Sequence, residues 1–195
     1  MLRQRLNRLL AALVLVLGFA ACDRGPDYSN HPTAPQSFLS GGTYGGYTLA
    51  NEPLLAGLLQ QPLSVTGLLG TVGGTLEVLG HTLYVPDGAV RKKTLFSVLA
   101  LPGGYVEVDL NASLLGLLGG LLNIGEQGFN KPVTVTLSYK RSTNVPDPSK
   151  LVIIRLNGLF GTPEEVPTRV DLVNKTVSAD LDHFSRYAVA FPTRR

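Results

Sequence analysis

In Lys131-Pro132-Val133-Thr134-Val135-Thr136-Leu137-Ser138-Tyr139, apolar side chains recur at every second position with hydroxyls between them. Successive side chains of a strand point to opposite faces, so this period puts Val133, Val135, Leu137 and Tyr139 together on one side. Such a pattern belongs to a half-buried antiparallel strand and cannot sit on one face of a helix. Comparable runs fall at 75–79, 82–85, 94–101, 105–110, 151–156, 168–173, 176–181 and 187–191, which makes nine candidate strands. With 22 glycines and 13 prolines among 195 residues, turns are plentiful and long helices are disfavoured. Many short strands between turn residues predict an all-β, antiparallel β-sandwich of about nine strands. Asn174-Lys175, between two of the runs, has the length of a tight hairpin turn.

The amino terminus follows a different grammar. Residues 1–8 carry Arg3, Arg5 and Arg8, and 9–21 form an apolar run that ends in Ala20-Ala21. A basic start, an apolar stretch and small residues at its end are the features of a secretory signal. Thirteen residues of helix rise only about 20 Å, short of the roughly 30 Å hydrocarbon layer. Phe19-Ala20-Ala21-Cys22 resembles the lipobox of bacterial lipoproteins, with Phe19 where leucine is usual. The resemblance implies cleavage before Cys22, diacylglycerol in thioether linkage on its sulfur, and acylation of the new amino terminus. Two or three acyl chains anchor stably where one does not. An ordinary cleaved signal that happens to precede a cysteine is the plainer alternative. Cys22 is the sole cysteine, so no intramolecular disulfide is available to an exported chain. The expected location is the cell envelope, lipid-anchored and facing the periplasm or exterior. Asp23 resembles an inner-membrane retention signal of some lipoproteins, but that rule varies between bacteria and selects no membrane here.

The formal charge of +3 disappears with the signal, because Arg3, Arg5 and Arg8 are the only charges before Cys22 and 14 basic then face 14 acidic residues. Nucleic acid is therefore not an expected partner, since phosphate recognition calls for a clustered basic face. Membrane attachment is expected from acyl chains on Cys22 and not from a basic surface. Four segments follow: a signal peptide at 1–21, a flexible tether at 22–51, a leucine- and glycine-rich lead-in at 52–72, and the sandwich at 73–195. The tether reading rests on Pro, Gly, Ser, Thr and Tyr without apolar period, as in Gly41-Gly42-Thr43-Tyr44-Gly45-Gly46. No Lys-Ser or Lys-Thr follows those glycines, so they make no phosphate loop.

Four segments in order, Gly73-Gly74-Thr75-Leu76, Leu83-Tyr84-Val85-Pro86-Asp87-Gly88-Ala89-Val90, Lys131-Pro132-Val133 and Asp182-His183-Phe184-Ser185-Arg186-Tyr187-Ala188-Val189, resemble the ZU-five domain. That is the β-sandwich shared by zonula occludens proteins, uncoordinated-five netrin receptors and ankyrins. It implies a binding or structural module, as in the animal relatives where the domain is a scaffold for protein contacts; separately, an envelope protein is the expected partner and no turnover is expected. Independently of any family, Pro86 ends a strand because it has no N–H to give the ladder, and Gly88 supplies the positive φ of a reversal. His183-Phe184-Ser185 also resembles the self-cleaving tripeptide of some relatives. The resemblance implies His183 as general base to Ser185, whose oxygen attacks the Phe184 carbonyl, turning peptide into ester before hydrolysis. That chemistry requires a strained bond held by the surrounding sheet. The plainer reading has His183 and Ser185 satisfying nearby backbone groups.

Other chemistry finds less support. His31, His81 and His183 have no metal-ligand spacing, and in a strand Asp180 and Asp182 share a face from which His183 turns away. No metal, no cofactor and no small-molecule substrate is expected. No Gly-x-Ser-x-Gly elbow marks a hydrolase. Two stretches, 54–72 and 111–125, are dense in leucine and glycine but too short to span a bilayer. Each is expected to be an inserted loop or short helix over an open end of the sandwich, or else an exposed patch for lipid or a partner. A carbohydrate- or wall-binding sandwich is the remaining alternative. It has no tryptophan to offer, so Tyr44 and Tyr47 would have to serve as the aromatic platform.

Overall fold

A computed structural model describes residues 42–53, 62–115, 121–125, 128–157 and 161–193. They hold strands β1 (Thr43–Tyr44), β2 (Tyr47–Leu49), β3 (Leu63–Leu69), β4 (Gly74–Val78), β5 (His81–Val85), β6 (Thr94–Ala100) and β7 (Glu107–Leu115). There follow β8 (Leu121–Asn123), β9 (Val133–Ser138), β10 (Val152–Leu156), β11 (Glu164–Val166), β12 (Thr168–Asp171), β13 (Thr176–Leu181) and β14 (Arg186–Pro192). Two antiparallel sheets result: nine strands along the path β1-β2-β14-β7-β6-β3, with β10, β11 and β8 attached, and five in the order β12-β13-β9-β5-β4. The protein is an all-β sandwich. All nine alternating runs of the sequence are strands, the run at 105–110 being carried on to Leu115 as β7.

Alternation explains the layers. In β6, Thr94, Phe96, Val98 and Ala100 are buried and the residues between them are not, and in β9 Val133, Val135 and Leu137 turn inward. Phe96 and Val98 of the larger sheet share one core with Leu83, Val85, Val135, Leu137 and Val177 of the smaller. β14 departs from the pattern, with Tyr187, Ala188, Val189 and Ala190 all buried. It lies inside the larger sheet, with β10 on one edge and β7 and β2 on the other. Tyr187 and Val189 face the main core, while Ala188 and Ala190 join a second cluster with Leu49, Ile154 and Leu156. A strand covered on both faces reads as a continuous apolar run.

Three expectations need correction. Residues 42–51 are not tether: Gly45 and Gly46, at φ +55° and +89°, turn the β1–β2 hairpin, and Leu49 and Ala50 are fully buried. Covering Leu49 alone is worth about 2 kcal/mol, and Ala50 is hydrogen-bonded in both directions, to Val189 and Val106. The sandwich accordingly starts well ahead of Gly73, with β1 at Thr43 among the described residues. The leucine-glycine stretches, read as loops or helices, contribute strands instead. β3 pairs with β6 along its whole length, and β7 and β8 pair at Ser113–Asn123 and Leu114–Leu122; residues 54–61 and 116–120 lie outside the described residues. Finally, the turn between β12 and β13 spans four residues, not two. The Asp171 carboxylate accepts the N–H groups of Val173 and Asn174 at 2.9 Å each, which ends β12 early, and Lys175 takes φ +50°.

Candidate functional site

The four family-like segments, far apart in sequence, meet at one end of the sandwich. Gly73, at φ +74°, lies so close against the backbone of Val85-Pro86 that a Cβ there would collide with the Val85 carbonyl oxygen. Pro86 follows the last residue of β5, and the turn closes with Ala89 N–H on the Pro86 carbonyl at 3.1 Å and Gly88 at φ +77°. Gly88 N–H reaches the Thr71 carbonyl at 2.7 Å. Lys131 Nζ donates to the Asp87 carbonyl at 2.7 Å, Asn130 N–H to that of Ala89 at 3.0 Å, and Phe129 N–H to that of Asp182 at 3.0 Å. These bonds stitch turns from both sheets into one cap. Between the turns opens a cleft of about 280 Å³, lined by Val90, Thr94, Leu114, Ile124 and Phe129 with Arg91 and Lys92 at its lip.

His183-Phe184-Ser185 carries the chain from β13 of the smaller sheet to β14 of the larger. Phe184 is buried at the apex of an aromatic triad, with centroids 4.7 Å from Phe129 and 5.9 Å from Phe96, both edge-on. Its N–H is held by the Gly125 carbonyl at 2.7 Å, and the Ser185 carbonyl accepts Leu110 N–H at 3.1 Å. The His183 imidazole turns to Arg155 on β10, its Nε2 meeting Nη1 of the guanidinium, and its carbonyl accepts the Tyr187 hydroxyl at 2.9 Å. An arginine nitrogen only donates, so Nε2 is the acceptor of that contact. Among the described non-glycine residues, positive φ occurs at Leu79 and Lys175, neither of them in this motif. His183 and Phe184 are thus brought together with Arg155, Phe129 and Gly125, while no hydrogen bond joins His183 to Ser185 among the described residues.

Beside His183 lies a second cleft, of about 220 Å³, lined with charge. Arg155 also pairs with Glu164. Arg169 grips Asp180 with both terminal nitrogens, at 2.8 and 2.9 Å, while Thr134 donates to the same carboxylate. These contacts, Arg169 first and then Thr134, hold the Asp180 carboxyl below its ordinary range. Burial pushes the Tyr187 phenol up to about 12, so it stays a hydrogen-bond donor. With Asp180 occupied by Arg169 and His183 by Arg155, the Asp180-Asp182-His183 grouping does not converge, and no trio of metal-ligating side chains occurs among the described residues.

Tyr44 and Tyr47, the candidate sugar platform, pack against the second core cluster. Their hydroxyls donate to the Gly161 carbonyl at 2.6 Å and to Glu165 at 2.9 Å. Cys22, the lipidation candidate, lies outside the described residues, as does His31.

One charged group escaped the sequence reading. Glu52, only 2% exposed, receives Arg141 Nε at 2.6 Å, and its other oxygen lies 3.9 Å from Nε2 of fully buried His81. His81 Nδ1 accepts Ser138 N–H at 3.1 Å, which leaves the proton on Nε2. Burial, helped by Arg141, lowers the His81 pKa to about 4, and burial raises that of Glu52 against the pull of Arg141. Nothing local announces this cluster, because its members come from three distant parts of the chain. No protein-family model matches the chain, and no curated protein matches it in sequence.

Proposed function

We propose that this chain is a lipid-anchored protein of a bacterial envelope, held through acyl chains on Cys22, whose sandwich serves as a protein-interaction or structural module of ZU-five type. The observation that carries the anchor is Phe19-Ala20-Ala21-Cys22, closing a basic-then-apolar leader with the chain's single cysteine. The module reading is supported by how the motif residues are used. Gly73, Pro86, Gly88, Lys131 and Phe184 form turns, backbone bonds and an aromatic plug. A motif spent on building a cap leaves its side chains little freedom for turnover, and function then lies in what the cap and the sheet faces present.

Intact mass measurement of the full chain made in a bacterium with lipoprotein processing tests this directly. The expected product starts at Cys22, carries diacylglyceryl and amide-linked acyl groups, and stays in the membrane fraction. The Cys22→Ser chain is expected to lose the lipid label and its retention; unchanged fractionation would overturn the anchor. The same spectrum reads the bond between Phe184 and Ser185. An unbroken chain is expected, since His183 Nε2 is engaged by Arg155.

A further inference from the structure

Formal neutrality says nothing of where charges sit. Arg91, Lys92 and Lys93 are consecutive, exposed, and have no acidic partner among the described residues. They lead directly into Thr94 of β6, and Thr94 heads a row across four strands, Leu69–Thr94–Leu114–Leu122, on β3, β6, β7 and β8. A Cβ on Gly70, just past β3, would touch Lys93 Cγ at 3.7 Å. The three cations therefore share this end of the larger sheet with exposed apolar side chains, Val72 at 84% in the turn after β3, Leu122 at 61% in the row and Leu68 at 60% on the opposite face. Lys131 adds a fourth cation to this end, and among the described residues Asp87 and Asp182 are the acids beside it. An excess of positive charge next to protruding apolar groups is complementary to an anionic surface with an apolar layer beneath it.

We propose that this end of the sandwich docks on anionic lipid headgroups, Arg91, Lys92 and Lys93 meeting the phosphates while Leu68, Val72 and Leu122 enter the interfacial layer. The choice of a bilayer over an acidic protein rests on the lipoprotein reading, which keeps the domain beside one. The acyl chains on Cys22 hold the chain at the bilayer, and the patch sets how the domain faces it.

The test uses the full chain as Cys22→Ser, so that no acyl chain contributes, in sedimentation with vesicles of phosphatidylcholine alone or mixed equally with phosphatidylglycerol. Neutralising the patch as Arg91→Gln, Lys92→Gln and Lys93→Gln is expected to weaken binding to the mixed vesicles roughly a hundredfold, at about fivefold per cation. Added salt should erase the difference. Both chains share the same leader, so the comparison isolates the patch. A fluorophore on Val72→Cys, the only thiol in that background, should shift to the blue on mixed vesicles and not on phosphatidylcholine. Equal binding of the two chains with an unshifted fluorophore would overturn the proposal, as would capture of an acidic protein with no vesicle preference. Lipid labelling of the unaltered chain at Cys22 is read separately, so the anchor and the patch fail independently.

Discussion

The two ends of the sandwich handle charge in opposite ways. At the cap built from the Val85–Ala89 turn and the Phe184 plug, Arg91, Lys92 and Lys93 stand in solvent without carboxylate partners among the described residues. At the other end, where β4 turns into β5 and β9 runs out, Glu52 and His81 are withdrawn from water and the partly buried Arg141 is held against Glu52. Each such group, once inside, depends on its partner, because an unpaired buried charge is far more costly than an exposed one. Exposed charges contribute almost nothing to folding and remain available to an outside surface. The difference separates charge that maintains the fold from charge that faces a partner, although both come from the same neutral total.

The contrast breaks most readily at the buried end. Arg141→Met removes the guanidinium that satisfies Glu52 and also the bond from Nη2 to the Leu79 carbonyl. A loss of about 3 kcal/mol is expected in denaturant unfolding, at the low end for buried pairs because Arg141 keeps some contact with water. A loss below half a kilocalorie would mean the cluster is no more structural than the exposed lysines.

Acid probes the same end without mutation. The His81 pKa lies near 6.5 unfolded and about 4 folded, so the folded state favours the neutral ring. Its contribution is fully present above pH 6.5 and is lost as pH falls toward 4, up to about 3 kcal/mol. Glu52 works the other way, since its raised folded pKa lets folding gain as the carboxylate takes up its proton. The thermal midpoint should therefore fall between pH 6.5 and 4.5 by less than His81 alone dictates. His81→Asn, whose carbonyl can still accept Ser138 N–H, should flatten that acid limb; an unchanged limb would assign it to other groups.

The smallest effect belongs to the cap. Neutralising Arg91, Lys92 and Lys93 together should leave unfolding free energy within about half a kilocalorie of the parent, while vesicle binding changes strongly. A large loss of stability would erase the distinction between the two ends.

How much of this was legible depended on whether the cause was local. All nine alternating runs are strands, because a period of two follows from the pleat itself. The missed strands obey no such pattern. β3 leaves Leu68 on its outer face and Leu63, in the inward-facing set, exposed at its start, so its alternation is blurred, and Glu164-Glu165-Val166 becomes β11 through pairing with Ile153–Arg155. β1 and β2 are short and glycine-flanked, and become ordered elements by adding to β14. At the candidate site, His183, Phe184 and Ser185 could be picked out, yet Arg155, Gly125 and Phe129, which decide what they do, stand between 28 and 59 residues away.

The chain by itself determined nine of its strands, the strand stop at Pro86 and the positive-φ turn at Gly88. Each is a property of a few consecutive residues. Tertiary structure alone decided that residues 42–51 belong to the sheet, that β14 is covered on both faces, and that His183 turns to Arg155. It also decided that one group of charges is buried and another left in solvent. Strand edges carry no record of their partner, and burial belongs to surfaces from distant segments that exist only once they have met.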